Sequence, residues 1–271
     1  MTHTPDEPTP PARTKPQILS RGDGATIAYH RSDGEGPGVV FLGGFMSDMD
    51  GIKATSLEAH CRRRGRAFLR FDYQGHGQSS GWFVDGSIGR WAEDAICVLD
   101  GLTDGPQVLV GSSMGGWIML LAALARPDRV SGLVGLAAAP DFTEALMWQR
   151  FSPEVRETLM RDGVYYEPSR YGEIPYPITM KLIEEGRRHL LLERPVAVHC
   201  PVHLIHGMGD PDVPWERALL IARQLLSGHV AVTLVKDGDH RLSRPEDIAR
   251  LCRIVDALCD GPDGGVATRQ T

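Results

Sequence analysis

Cysteine is scarce in this sequence. There are five in 271 residues, at positions 61, 97, 200, 252 and 259, with no CxxC spacing and no regular framework. So odd and sparse a set in a chain of this length excludes a disulfide scaffold. It predicts free thiols in a reducing compartment, and the expected location is cytoplasmic. Long hydrophobic runs are missing too: no stretch approaches the roughly 18 apolar residues of a membrane span, so no transmembrane segment is expected. A dominant basic tract is also lacking. The formal net charge is -6, which argues against a nucleic-acid partner. The short run Arg62, Arg63 and Arg64 before Gly65 reads as a solvated helix end, where cations are favoured. Internal repeats are absent. Residues 1–16, rich in Pro and Thr and without an apolar h-region, are expected to form a disordered tail rather than a secretory signal, and 261–271 a second tail.

What is present is one large domain's worth of apolar residues, 42% of the chain. Ile18 to Ser20 and Thr26 to His30 flank the turn Gly22-Asp23-Gly24 and predict an antiparallel hairpin. Val39-Val40-Phe41-Leu42 is a continuous apolar run, as expected of a parallel strand buried on both faces. From there strands and helices alternate: helix 52–64, strand 66–71, helix 88–102, strand 107–110, helix 113–124 and strand 130–136. The pattern resumes with strand 202–205, helix 215–226, strand 231–235 and helix 245–258. Such alternation predicts a mostly parallel sheet covered on both faces. The expected core is therefore 17–139 and 196–260. The stretch between them, 140–195, breaks the rhythm with Trp148, Phe151, Tyr165, Tyr166, Tyr171 and Tyr176 and with Pro153, Pro168, Pro175 and Pro177. A long insertion this dense in aromatics is expected to be a helical lid over a pocket, because long inserts in compact domains are usually functional.

The chemistry starts at Gly111-Ser112-Ser113-Met114-Gly115, a G-x-S-x-G between a strand and a helix. A sharp turn there would lift the Ser113 hydroxyl clear of the sheet, with small residues two positions either side and a helix N-terminus behind it. Gly at both flanking positions selects Ser113 over Ser112. The Met114 N–H is one candidate oxyanion donor. The loop Gly43-Gly44-Phe45-Met46 follows another strand and offers the Phe45 N–H as the second. A serine nucleophile needs a base held by a third group, and with this motif the order along the chain is Ser, acid, His. His240 follows the last strand. Asp210 and Asp212 both follow strand 202–205 and both could reach it; spacing alone does not separate them. Asp237 and Asp239 are expected to shape the turn around Gly238. His206 reads as a structural residue at a strand end. Met46, Trp148, Phe151 and Val213 are the expected pocket residues.

These residues together resemble the α/β-hydrolase family from about Ile18 to Leu258. The resemblance implies that fold, with Gly207-Met208-Gly209-Asp210-Pro211-Asp212-Val213-Pro214 matching the family's G-x-x-D-x-x-V-P and so selecting Asp210 as the acid. Gly238-Asp239-His240 likewise selects His240 as the base. Asp72-Tyr73-Gln74-Gly75-His76-Gly77-Gln78-Ser79 resembles the D-x-x-G-x-G-x-S loop, which implies a structural His76. The oxyanion loop departs from the common His-Gly-x: Gly43 stands at the His position.

A closer likeness is to the branch containing the mitochondrial palmitoyl-protein thioesterase that also cleaves acyl glucuronides. It is carried by 44–49, by 111–117 and by 237–243. It implies hydrolysis of acyl thioesters or carboxylic esters, small-molecule substrates, no metal and no cofactor, in a monomer or small homo-oligomer. The same three residues could serve another acyl transfer, peptide cleavage or carbon–carbon hydrolysis, and a silent ligand-binding homologue would keep them without turnover.

Overall fold

The computed structural model describes residues 15–169 and 172–261. The expected tails lie outside these residues, apart from Lys15, Pro16 and Gly261, and so does Tyr171.

Eight strands form one sheet: β1 (Gln17–Ser20), β2 (Thr26–Ser32), β3 (Glu35–Leu42), β4 (Arg66–Phe71), β5 (Gln107–Ser112), β6 (Val130–Leu136), β9 (Val202–Gly207) and β10 (Val230–Val235). Their order is β1-β2-β4-β3-β5-β6-β9-β10. The opening hairpin pairs antiparallel, and β2 runs antiparallel to β4. Every other neighbour is parallel. The helices of the core are α1 (Ile52–Arg63), α2 (Ile88–Leu102), α3 (Met114–Ala125), α6 (Glu216–Gln224) and α7 (Pro245–Asp260).

The period-two alternation of strand side chains sorts the core into two layers. Val39, Phe41, Val108, Val110, Val134 and Ile205 pack with α1 and α7 on one face. Val40, Leu42, Leu69, Leu109, Leu133 and Leu204 pack with α2, α3 and α6 on the other. Both faces are covered, which is why these strands carry unbroken apolar runs. From β3 the chain passes to β4 on one side and later to β5 on the other. The carboxyl ends of β3 and β5 therefore border the crevice at which parallel sheets gather their ligands.

The stretch between β6 and β9 is not purely helical. It holds a π-helical turn (Thr143–Trp148), α4 (Pro153–Asp162), α5 (Met180–Gly186) and a two-stranded antiparallel ribbon, β7 (Val164–Glu167) with β8 (Tyr176–Thr179). The ribbon residues, Val-Tyr-Tyr-Glu and Tyr-Pro-Ile-Thr, are the β-branched and aromatic types that favour strands. Leu159, Ile178 and Ile183 form a small core of their own there, with Phe45, Met147, Phe151 and Tyr176 packed against it. The Asp141 carboxylate accepts the N–H groups of Leu191 and Leu192, at 2.9 and 2.8 Å. That joins the entrance of the insertion to its exit.

Candidate active site

The end of β5 turns into α3 at Ser113, whose backbone has φ 53° and ψ -115°. A non-glycine residue in that region costs on the order of 1–3 kcal/mol and persists only where its surroundings fix it. Here they do. The Ser113 N–H donates to the Leu136 carbonyl at 2.9 Å, while its own carbonyl accepts from Gly116 and Ala139 at 2.9 and 3.0 Å. The turn is so tight that a Cβ on Gly115 would lie 2.1 Å from the Leu42 carbonyl oxygen, and one on Gly111 2.4 Å from the Gly115 oxygen. Both flanking glycines are steric requirements of the crossing backbones.

Ser113 Oγ lies 3.1 Å from His240 Nε2, and His240 Nδ1 lies 2.7 Å from Asp210 Oδ2. The three residues come from the ends of β5, β9 and β10, whose loops are tied together. The Met208 N–H donates to the Val235 carbonyl and the Gly209 N–H to that of Gly238. Asp210 is the carboxylate at hydrogen-bond distance from the imidazole Nδ1. Asp210 Oδ1 accepts the N–H groups of Asp212 and Val213 at 2.8 and 2.9 Å. Burial opposes ionisation of this carboxyl. Hydrogen bonds from His206 and His240, the charge of His240 and the Val213 amide outweigh burial and hold it well below the usual carboxylate range. Ligand atoms of Asp210, Asp212 and His240 lie within 4.8 Å of one another, but both Asp210 oxygens are already engaged by N–H donors. Asp237 pairs with Arg244 at 2.9 Å and Asp239 accepts the Leu242 N–H at 2.9 Å, so both serve the turn.

The loop after β3 stands against Ser113: a Cβ on Gly44 would lie 3.6 Å from that of Ser113. Among the described residues neither the Phe45 N–H nor the Met114 N–H meets a protein acceptor, so both are open to an oxyanion. The next amide is not open. Met46, at φ 52°, donates its N–H to His76 Nε2 at 3.2 Å. His76 is packed edge-on against Tyr73, Phe83 and Trp91. Burial pushes it down to about 4, so a neutral ring accepts this bond at neutral pH. The Met49 N–H donates to Asp72 at 2.7 Å. The D-x-x-G-x-G-x-S loop thus fixes the loop after β3 from below. The Phe45 ring lies edge-on to Phe83, Trp91, Phe142 and Tyr176, at 4.8–6.0 Å between centroids, a cluster that the sequence reading missed.

A cavity of about 950 Å³ opens over Ser113. Met46, Phe151 and Val213 line it, as expected, together with Phe142, Leu146, Met147 and Tyr176. Trp148 does not. The guanidinium groups of Arg156 and Arg187 lie over its ring, 5.4 and 4.9 Å from the centroid. A π-helical turn shifts the face that each residue presents, and no periodicity in the sequence signals one. On the polar side Lys53 lines the cavity and its Nζ donates to the Arg241 carbonyl; burial pushes its ammonium down to about 8.

A family profile described as the alpha/beta hydrolase fold matches residues 37–162. The palmitoyl-protein thioesterase ABHD10, mitochondrial, of Mus musculus is 42% identical over 244 residues, 90% of this chain and 82% of its own length. The Homo sapiens protein of the same name is 40% identical over 249 residues, 92% and 81% of the two chains. The solved structure of mouse alpha/beta hydrolase domain-containing protein 10 superposes with a TM-score of 0.84 at 40% identity, covering 90% of this chain and 98% of its own. A putative hydrolase from Agrobacterium vitis S4 gives 0.86 at 39%, covering 92% and 99%.

These relatives overturn the cytoplasmic expectation, since the proteins matching nine-tenths of the chain are named as mitochondrial. Sparse unpaired cysteines argue against an oxidising compartment without choosing among the reducing ones. With two-fifths identity over nine-tenths of its length, the chain belongs to the α/β-hydrolase family, in the branch of the ABHD10 proteins.

Proposed function

We propose that this chain hydrolyses acyl thioesters or carboxylic esters through an acyl-enzyme on Ser113. The observation that carries the proposal is the hydrogen-bonded line from Ser113 Oγ through His240 to Asp210, set beside two open amide N–H groups. His240 Nε2 takes the hydroxyl proton as Ser113 Oγ attacks the acyl carbon. Its Nδ1–H stays on Asp210, whose ionised carboxylate orients the ring and stabilises the imidazolium. The Phe45 and Met114 N–H groups receive the oxyanion, with the N-terminus of α3 adding its dipole. The proton then passes from His240 to the leaving sulfur or oxygen as the acyl bond to it breaks. Water enters and gives a proton to His240 as its oxygen attacks the acyl carbon; His240 returns that proton to Ser113 Oγ as the acyl–Oγ bond breaks and the acid leaves.

The wall formed by Phe142, Leu146, Met147, Phe151 and Tyr176 suits an apolar acyl chain, and on this reading the insertion 140–195 serves as its cover. Relatives named palmitoyl-protein thioesterase support a long-chain acyl thioester as the first substrate to try. Acyl glucuronides, esters of a sugar acid, are the second. A fluorophosphonate probe should label Ser113 and stop the turnover of thioester and p-nitrophenyl ester substrates. Turnover retained in Ser113→Ala would overturn the proposal. Aminoacyl and amide substrates run alongside separate hydrolysis of these esters from peptidase chemistry.

A further inference from the structure

Two histidines lean on the Asp210 carboxylate. His240 Nδ1 lies 2.7 Å from Oδ2, and His206 Nε2 lies 3.3 Å from the same oxygen. His206 sits near the end of β9 with its side chain 1% exposed, and its Nε2 also lies 3.0 Å from the Val213 carbonyl oxygen. Both neighbours of Nε2 are acceptors. That nitrogen therefore carries the ring proton, which it donates to the Val213 carbonyl while facing Asp210 Oδ2 at 3.3 Å. Nδ1 is buried and has no partner among the described residues, so the Nε2 contacts alone choose the tautomer.

A residue that merely filled this space could be apolar, as Leu204 and Ile205 before it are. The imidazole instead aims its one N–H at the acid and at the turn that holds the acid. Four N–H groups thus converge on one carboxylate: two backbone amides on Oδ1 and two imidazoles on Oδ2. Only one of the two imidazoles reaches the nucleophile.

We infer that His206 is a positioning residue for acyl transfer, whose Nε2–H shares Asp210 Oδ2 with His240 and so sets how hard that oxygen holds the base. The inference rests on the roles proposed above for Ser113, His240 and Asp210. The shared donor draws off part of the negative charge that His240 would otherwise meet alone. It also ties the Val213 carbonyl, and with it the 210–213 turn, to the same ring. Without it Oδ2 grips the imidazolium more tightly, and His240 releases its proton at a higher pH.

The test compares His206→Leu and His206→Gln with the unaltered enzyme across the pH profile of kcat/KM. His206→Leu should lower kcat about tenfold, the size of one lost hydrogen bond to a charged group. KM should stay within about twofold. The acidic limb should move upward by about half a pH unit. His206→Gln keeps an amide donor and should return the limb toward its original position. A loss of activity with the limb unmoved, or with no rescue by His206→Gln, would mean a packing role and would overturn the inference.

The unaltered protein provides a second arm that no folding failure can remove. Long-range proton–nitrogen NMR should find His206 protonated at Nε2 and bare at Nδ1, and the opposite tautomer would overturn the inference. Ser113→Ala in the same assay keeps the two readings apart. If it turns over, the acyl-enzyme proposal falls. If it is inactive while His206→Leu behaves like the parent enzyme, only the role of His206 falls.

Discussion

Replacing Asp210 by Asn tests the proposed acid without changing its size. Four N–H groups face the carboxylate, two at each oxygen, that of His206 at 3.3 Å and shared with the Val213 carbonyl. An asparagine has one carbonyl oxygen and one NH2, so it can serve only one pair. If its oxygen keeps the Asp212 and Val213 amides, the NH2 faces His206 and His240, and two donors meet at each contact. His240 then turns its unprotonated Nδ1 to the amide and carries its proton on Nε2, pointing at Ser113 Oγ. In that tautomer the ring cannot take the serine proton. If the Asn flips, the same conflict falls on the two backbone amides of the turn. The wrong tautomer should lower kcat by about 10³–10⁴, which is about 4–5.5 kcal/mol of transition-state stabilisation. KM should change far less. Steady-state turnover of a thioester and a p-nitrophenyl ester would measure it, with a thermal melt to establish that the variant is folded. A folded Asp210→Asn enzyme within tenfold of its parent would refute the assignment of Asp210.

Three further outcomes follow from the geometry. Gly115→Ala places a Cβ 2.1 Å from the Leu42 carbonyl oxygen and should cost about 3 kcal/mol of stability along with all activity; a variant that melts within a degree of its parent refutes the steric account. The buried His76 takes up a proton only near about 4, whereas in the unfolded chain it does so near 6.5. Between these values the unfolded state binds more protons, so stability falls as pH drops from about 6.5 to about 4. In His76→Phe, melts across this window should show a shallower fall, and lower turnover should accompany the orphaned Met46 N–H. A fall as steep as the parent's speaks against the assignment. Burial pushes Cys61 up to about 12 and Cys259 up to about 11, so iodoacetamide at pH 8 should leave both unmodified in the native protein, and labelling at the rate of an open thiol contradicts this.

The strained turn at Ser113 was legible in the sequence because its constraint is local. Gly111, Ser113 and Gly115 sit between an apolar strand and an apolar helix, and the steric reason for both glycines acts within five residues. The buried parallel strands were legible for a similar reason: covered faces demand continuous runs such as 39–42. The choice between Asp210 and Asp212 was not open to spacing, because both follow the same strand. The turn in which Asp210 accepts the amides of 212 and 213 sets its Oδ2 2.7 Å from His240, and the family resemblance favours the same residue. His206 passed as a loop histidine because its partner is a carboxylate four residues on, across a turn that has no periodic signature. Trp148 was misplaced because helical spacing does not hold through a π-helical turn. The ribbon at 164–179 was readable in principle from Val164, Tyr165, Tyr166 and Ile178, but the surrounding prolines obscured it.

Phe45 has one more consequence. On the proposed mechanism its backbone offers a donor to the reacting centre, while its ring is wedged between Phe142 and Tyr176 of the insertion and Phe83 and Trp91 of the core. Selectivity for the acyl chain and speed of the chemistry therefore meet in a single residue. Reshaping the cavity wall to admit a different chain moves the rings against which Phe45 is braced, and its amide moves with them. In this enzyme a change of acyl preference and a change of rate are not independent variables.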